Sequence, residues 1–172
     1  TRDFTEILQD ALENFPFFRY DRDNTMERWG KSGPAAFSKL KTGGFVMLYS
    51  IIDVGSNSIR MTIFRHENDT LDMLMNKKSM AGLAGYVEKG ALNEAGIKKC
   101  CEEIRSFVKL AQNLECSHIS IIATASLRNV SNLEEVQASL ENAVGRRAEV
   151  LTGQEEARLD LVGASHYLGV QS

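Results

Sequence analysis

No run of lysine or arginine in this sequence exceeds two residues, and the formal net charge is −3. A surface that binds duplex nucleic acid carries a basic stripe, so that class of partner is excluded. An anionic ligand would have to be held by a local arrangement of backbone N–H groups, a few cations and a metal ion, not by a field spread over the molecule. Cysteine is equally scarce. Cys100, Cys101 and Cys116 make no disulfide framework, and the adjacent pair, on what reads as a helix, points in different directions and fits no zinc spacing. All three read as small core residues in a reducing compartment. No apolar stretch approaches the roughly 18 residues of a membrane span, and the N-terminus lacks the basic-then-apolar order of a secretory signal. A cytoplasmic protein with neither nucleic acid nor membrane as partner is expected. Sequences of the GxSxG, GxxxxGK(S/T) and HExxH kinds are also missing, which removes support for serine-hydrolase, P-loop and zincin chemistry. His66, His118 and His166 share no ligand-like or acid-paired spacing.

What remains is the composition of a soluble globular chain, 43% hydrophobic and 25% charged, with 172 residues to build one core. Residues 1–46 read as an N-terminal extension whose role is not legible. Phe4, Ile7, Leu8, Ala11 and Leu12 fall at helical spacing, an aromatic cluster around Pro16 interrupts them, and Gly43-Gly44 forms a hinge. From Val46 the pattern sharpens. Residues 46–52 form a continuous apolar run suited to a strand covered on both faces. Residues 59–64 alternate as a returning strand, and a third strand runs from Thr70 to about Lys77. A glycine-rich stretch from Gly82 to Gly90 leads to Asn93, a candidate N-cap for a helix carrying Ile97, Cys100, Cys101, Ile104, Phe107, Val108, Ala111 and Leu114 at helical spacing. Residues 118–123 form a buried strand. Ser131-Asn132-Leu133-Glu134 has the form of a capping box, opening a helix with Leu133, Val136, Leu140 and Val144 inward. A short strand over 148–152 and a final helix from Gly153 complete an α/β order of β-β-β-α-β-α-β-α on a mixed five-stranded sheet.

Three segments have residues suited to phosphate chemistry. The first, Asp53-Val54-Gly55-Ser56-Asn57-Ser58, sits on the first hairpin turn. Gly55 lets backbone approach a ligand, Ser56, Asn57 and Ser58 supply donors, and Asp53 is placed to hold a hydrated divalent cation. The same residues also make ordinary turns. The second, Ala123-Thr124-Ala125-Ser126-Leu127-Arg128, follows a buried strand, where ligands of open α/β sheets gather and an arginine can grip phosphate; alone, Arg128 equally suits a surface ion pair. The third, Gly153-Gln154-Glu155-Glu156-Ala157-Arg158, opens the last helix. Its acids suit the helix dipole, and a carboxylate facing a phosphate could instead deprotonate water.

Together and in order, IIDVGSNSIRMTIF (51–64), IATASLRNVSNLEEV (122–136) and VLTGQEEARLDLVG (150–163), with GALNEAGI (90–97) a looser match, resemble the exopolyphosphatase / guanosine-pentaphosphatase family over residues 47 to about 169. The resemblance implies a first ribonuclease-H-like domain of the actin-like ATPase superfamily over 47–172, in a magnesium-dependent enzyme that hydrolyses terminal phosphoanhydride bonds of inorganic polyphosphate or guanosine pentaphosphate. It implies Asp53 near magnesium, Gly55, Ser56, Asn57, Ser58 and Arg128 on phosphate, and Glu156 as general base with Glu155 only its neighbour. It further implies a second phosphate loop, an Asp-x-Gly-Gly-Gly-Ser pattern about 15 residues past Ser172, in a C-terminal domain that acts as partner. The isolated chain is therefore expected to be nearly inactive, and a homodimer is compatible with the resemblance. Two other classes stay open: a non-catalytic module of the same fold that senses phosphate or nucleotide, and a kinase of the same superfamily. The pairing of Glu156 with Arg128 favours the hydrolase, since a sensor needs no base, and such kinases lack the carboxylate of the third segment.

Overall fold

The computed structural model describes residues 46–67 and 70–168, with the side chains of residue 160 and of residues 162–168 left aside. Apart from Val46, the extension expected over residues 1–46 lies outside the described residues. The described residues up to Glu156 belong to one compact unit, and those from Ala157 to Leu168 to another.

Strands β1 (Met47–Val54), β2 (Ile59–Glu67) and β3 (Thr70–Ser79) are followed by a 3-10 turn at Leu83–Tyr86. A two-stranded ribbon comes next, β4 (Val87–Glu88) with β5 (Ala91–Leu92), and then α1 (Glu94–Asn113), β6 (His118–Ala123) and the short α2 (Ala125–Arg128). The last elements are α3 (Leu133–Val144), β7 (Glu149–Val150) and α4 (Gly153–Leu168). The main sheet has the order β3-β2-β1-β6-β7. Its first three strands pair antiparallel, and β1, β6 and β7 pair parallel. This is the expected mixed five-stranded sheet, with the small ribbon and the α2 turn added to the expected order.

Alternation along the strands explains where the core lies. Ile52 and Val54 of β1, Ile59, Met61 and Ile63 of β2, and Ile121 and Ala123 of β6 are buried on one face. Against them α1 turns Ile97, Cys100, Ile104, Phe107 and Ala111, at the three- and four-residue spacing of one helical stripe, and α3 adds Val136 and Leu140, with Leu133 and Val144 only partly buried. Each fully buried Val, Ile, Leu, Phe or Met side chain among them stabilises the fold by roughly 1.5–3 kcal/mol. Leu114, expected inward, lies past the end of α1 and is exposed. The expectation that β1 is covered on both faces holds for one of them only: Ile51 is 37% exposed, and Tyr49 and Asp53 are half-buried. All three cysteines are buried free thiols. Burial, and then the neighbouring Cys101, pushes the Cys100 thiol up to about 12.

Asn93 caps α1 as its sequence position predicts, its side chain accepting a 2.9 Å bond from the Gly96 N–H. The capping box expected at Ser131 does not form. Helix α3 begins one residue later, after Asn132, and no side chain caps it. The Asn132 amide is instead engaged by β5, accepting from Leu92 N and donating to Leu92 O, each at 2.9 Å. A second amide acts the same way. Buried Gln137 donates to Ala148 O at 2.7 Å and accepts from Ala148 N at 2.8 Å, holding the residue that leads into β7.

Candidate active site

The parallel strands β1, β6 and β7 end at one rim of the sheet. Val54 lies in register beside Ala123, and Ala123 beside Val150. The segments that follow these strands are therefore neighbours, although the sequence separates them widely. They are the three segments singled out for phosphate chemistry.

The turn after β1 is tightly built. The Gly55 N–H donates to Ser58 O at 3.0 Å, and a Cβ on Gly55 would come within 2.9 Å of that oxygen. Glycine is thus required by the turn, whose own closing bond takes the Gly55 N–H. Two further bonds brace the loop from outside: Gly82 N donates to Asn57 O and Ala84 N to Ser56 O, both at 2.9 Å. The glycine-rich stretch is therefore a buttress for the loop. Ser56 and Asn57 are left exposed, with Ser58 half-buried. Asp53 is half-buried near the end of β1, in register between Arg60 and Ile122.

Beyond β6, the α2 turn is pinned by Leu127, which is fully buried, and presents Arg128 at its end. The Ser126 hydroxyl donates to the carbonyl of Val54, joining this turn to the root of the 55–58 loop. Arg128 Nη1 donates to Leu151 O at 2.6 Å and to Glu156 Oε2 at 3.1 Å. The guanidinium is thereby anchored to the segment after β7 and to the first turn of α4 at once. Leu151 N in turn donates to Ala123 O at 2.8 Å.

Glu155 and Glu156 differ sharply. Thr152 N donates to Glu155 Oε2 at 2.7 Å, and Glu155 N donates to Thr152 Oγ1 at 3.2 Å, a reciprocal capping box. These bonds to Thr152, its backbone N–H first and its side chain second, hold the Glu155 carboxyl below its ordinary value. Glu155 is committed to the helix end, while Glu156 faces Arg128. Glu149, on β7, is pushed up by burial and then by the charge of Glu155. The arrangement combines a guanidinium, a carboxylate and a loop with exposed hydroxyl and amide groups on one rim.

Sequence reasoning singled out Arg128, Glu156 and the 53–58 loop, which this rim brings together. It missed Ser126, the Leu151 carbonyl, the 82–84 amides and the Thr152–Glu155 box. Only the last had a local signal, Thr152 three residues before an acid. Among the described residues no group of three or more His, Cys, Asp or Glu is arranged to hold a metal ion, and no helix is long and apolar enough to cross a membrane.

The sequence profile of the Ppx/GppA phosphatase family matches residues 62–172, a span that contains Arg128 and Glu156 and begins just past the 53–58 loop. A guanosine-5'-triphosphate,3'-diphosphate pyrophosphatase of Vibrio vulnificus is 31% identical over 123 residues, covering 71% of this chain and 25% of that protein. Among solved structures, an Aquifex aeolicus member of the Ppx/GppA family superposes with a TM-score of 0.62 at 28% identity, over 66% of this chain and 37% of that one. An exopolyphosphatase from Cytophaga hutchinsonii gives 0.62 at 26% identity, over 66% and 36%. This chain thus spans a quarter of the curated relative, 25%, and little more than a third of the structural ones.

Proposed function

Because the chain belongs to the Ppx/GppA phosphatase family, we propose that it supplies one wall of a site that hydrolyses terminal phosphoanhydride bonds of inorganic polyphosphate or guanosine pentaphosphate. The observation that carries this reading is the 3.1 Å contact of Arg128 with Glu156, on the rim where the 53–58 loop also ends. A carboxylate and a guanidinium in this relation suit in-line attack of water on a phosphorus atom. Glu156 takes a proton from the water as its oxygen bonds to the terminal phosphorus, and the bond from that phosphorus to the bridging oxygen breaks. Inorganic phosphate leaves, and the chain is one phosphate shorter.

Arg128 uses Nη1 on Leu151 and Glu156. Its guanidinium carries further N–H groups, on Nε and Nη2, that can address phosphate oxygens while the first contact keeps Glu156 in place. Ser56, Asn57 and Ser58 would hold a neighbouring phosphate through hydroxyl, amide and backbone donors. Magnesium fits this donor set. The ion keeps several waters and takes one or two carboxylates beside substrate phosphates, so Asp53 suffices where a cage of three acids would not be expected. Bound there, it would offset the negative charge of the phosphates.

On this reading the opposing wall belongs to the further length of chain that the relatives possess, and residues 1–172 alone turn substrate over barely. Phosphate release by the complete protein and its Glu156→Gln variant, assayed separately with polyphosphate and guanosine pentaphosphate, tests the assignment. Turnover should fall by about 10²–10⁴ in the variant, and undiminished release would overturn the assignment.

A further inference from the structure

We propose that Ser126 is a positioning residue that sets the 55–58 loop in line with Arg128 and Glu156; this rests on the hydrolytic reading above. The ladder between β1 and β6 ends at Val54 and Ala123. Past that point the two segments leave the sheet separately, one as the loop with Gly55 to Ser58, the other as α2 with Arg128. The Ser126 hydroxyl crosses this gap. It donates to the carbonyl of Val54, the residue directly before the loop, in a part-buried bond between residues 72 apart in the chain.

Two residues further on, Arg128 makes its contacts with Leu151 O and Glu156. A continuous series of contacts thus runs from the root of the loop through Ser126 and α2 to the base. Each half of the proposed site has other supports. The loop is held by Gly82 and Ala84. The α2 turn is held by Leu127, by Leu127 N donating to Thr124 O at 3.2 Å, and by Arg128 N donating to the same oxygen at 3.0 Å. Loss of the Ser126 hydroxyl therefore leaves both halves formed and releases the angle between them. In-line attack depends on that angle, because the loop would hold one phosphate while Arg128 and Glu156 address the next phosphate and its attacking water. Binding by each half depends on it much less.

The test is steady-state hydrolysis of polyphosphate by the complete protein, its Ser126→Ala, Ser126→Thr and Ser126→Cys variants, and Glu156→Gln. Misplacement of about 1 Å between reacting groups lowers turnover by about 10²-fold, so kcat of Ser126→Ala should fall by that order while KM stays within about 3-fold. Ser126→Thr, which keeps the hydroxyl, should lie within about 3-fold of the parent in kcat. Ser126→Cys, nearly the same size but a weak donor, should resemble the alanine variant and stands in for it if alanine prevents folding. A lowered Tm with unchanged kcat in the alanine or cysteine variant would make Ser126 a purely structural residue and overturn the proposal, as would a threonine variant as impaired as alanine. Should Glu156→Gln stay as active as the parent, the assignment of Glu156 as the base falls, and with it the reading on which this proposal rests. If Glu156→Gln is inactive and Ser126→Ala is not impaired, only the positioning role falls.

Discussion

Arg128 and Glu156 stand 3.1 Å apart although they are 28 positions apart in sequence. Their side chains are 29% and 34% exposed, so the pair is screened and contributes at most about 1 kcal/mol to stability. Its consequence is orientation. Arg128 is held by the Leu151 carbonyl at the same nitrogen, which fixes where the carboxylate of Glu156 can sit.

Two neighbouring glutamates should then respond oppositely to the same isosteric change. In the complete protein, Glu156→Gln keeps the size and one acceptor but cannot take a proton, and kcat is expected to fall by about 10²–10⁴ with polyphosphate binding preserved. Glu155→Gln should leave turnover within about 3-fold, since glutamine also serves at that position of a capping box. Steady-state kinetics with a separate binding assay decides between them. An inactive Glu155→Gln beside an active Glu156→Gln would reverse the assignment of the base.

Arg128→Lys should separate charge from geometry. Lysine retains the positive charge but lacks the planar fork that reaches Leu151 O and Glu156 and, on the proposed reading, a phosphate as well. Both effects should appear, KM for polyphosphate rising by about 10-fold and kcat falling by about 10-fold or more. A lysine variant with parental constants would show that only the charge matters.

The order of strands and helices was legible because hydrophobic periodicity is local. Ile97, Cys100, Ile104 and Phe107 announce a helical stripe whatever lies against it, and all are buried as that stripe requires. The rim segments were legible for a different reason: Gly55, Arg128 and Glu156 each lie in the segment that follows a strand, and β1, β6 and β7, being parallel, carry those segments to one side. The missed features depend on distant partners. Two segments share the Ser/Thr-x-x-Glu form, at Ser131 and at Thr152. At the first, Leu92 engages the Asn132 amide 40 residues away and the helix starts later; at the second, the box closes. The Ser126 bond to Val54 needs β1 beside β6, which no local pattern states.

The Thr152–Glu155 box predicts a pH dependence. The Glu155 carboxyl is held below its ordinary value in the fold, so its contribution to stability is full above the unfolded value, about 4.3, and disappears as pH falls through the folded one. Thermal unfolding of the parent chain and Glu155→Gln should therefore differ at pH 7 and converge below about pH 4. A difference that grew on acidification would contradict this assignment.

The end of α1 offers a stabilising change. Cys116 N donates to Ala111 O at 3.0 Å and Glu115 N to Gln112 O at 2.9 Å, the Schellman pattern, yet the left-handed position is filled by Glu115 with φ 55. Non-glycine residues there are strained by roughly 1–2 kcal/mol, partly offset by the greater freedom glycine has when unfolded. Glu115→Gly should raise the midpoint of urea unfolding by an amount corresponding to about 0.5–1 kcal/mol, without altering the slope.

Gln137 connects packing to the site, and its loss should be felt in both. It is buried on α3 and makes both of its bonds to Ala148, directly before β7, from which the chain runs through Leu151 to Glu156. Gln137→Leu keeps the volume but leaves a buried N–H and a buried carbonyl of Ala148 without these partners, at a cost of about 1–3 kcal/mol for each group that water cannot reach. Denaturant unfolding should show that loss at any pH between 5 and 8, since the glutamine does not titrate. Because β7 pairs with β6 through only Glu149 and Val150, the same variant should loosen Leu151 and with it the Arg128 anchor. Amide hydrogen exchange is the sharper measurement. Protection of Leu151 N, which donates to Ala123 O, should drop more than that of residues in the middle of β1. Equal loss at both places would mean that Gln137 supports the fold as a whole and does not brace the segment leading to Glu156.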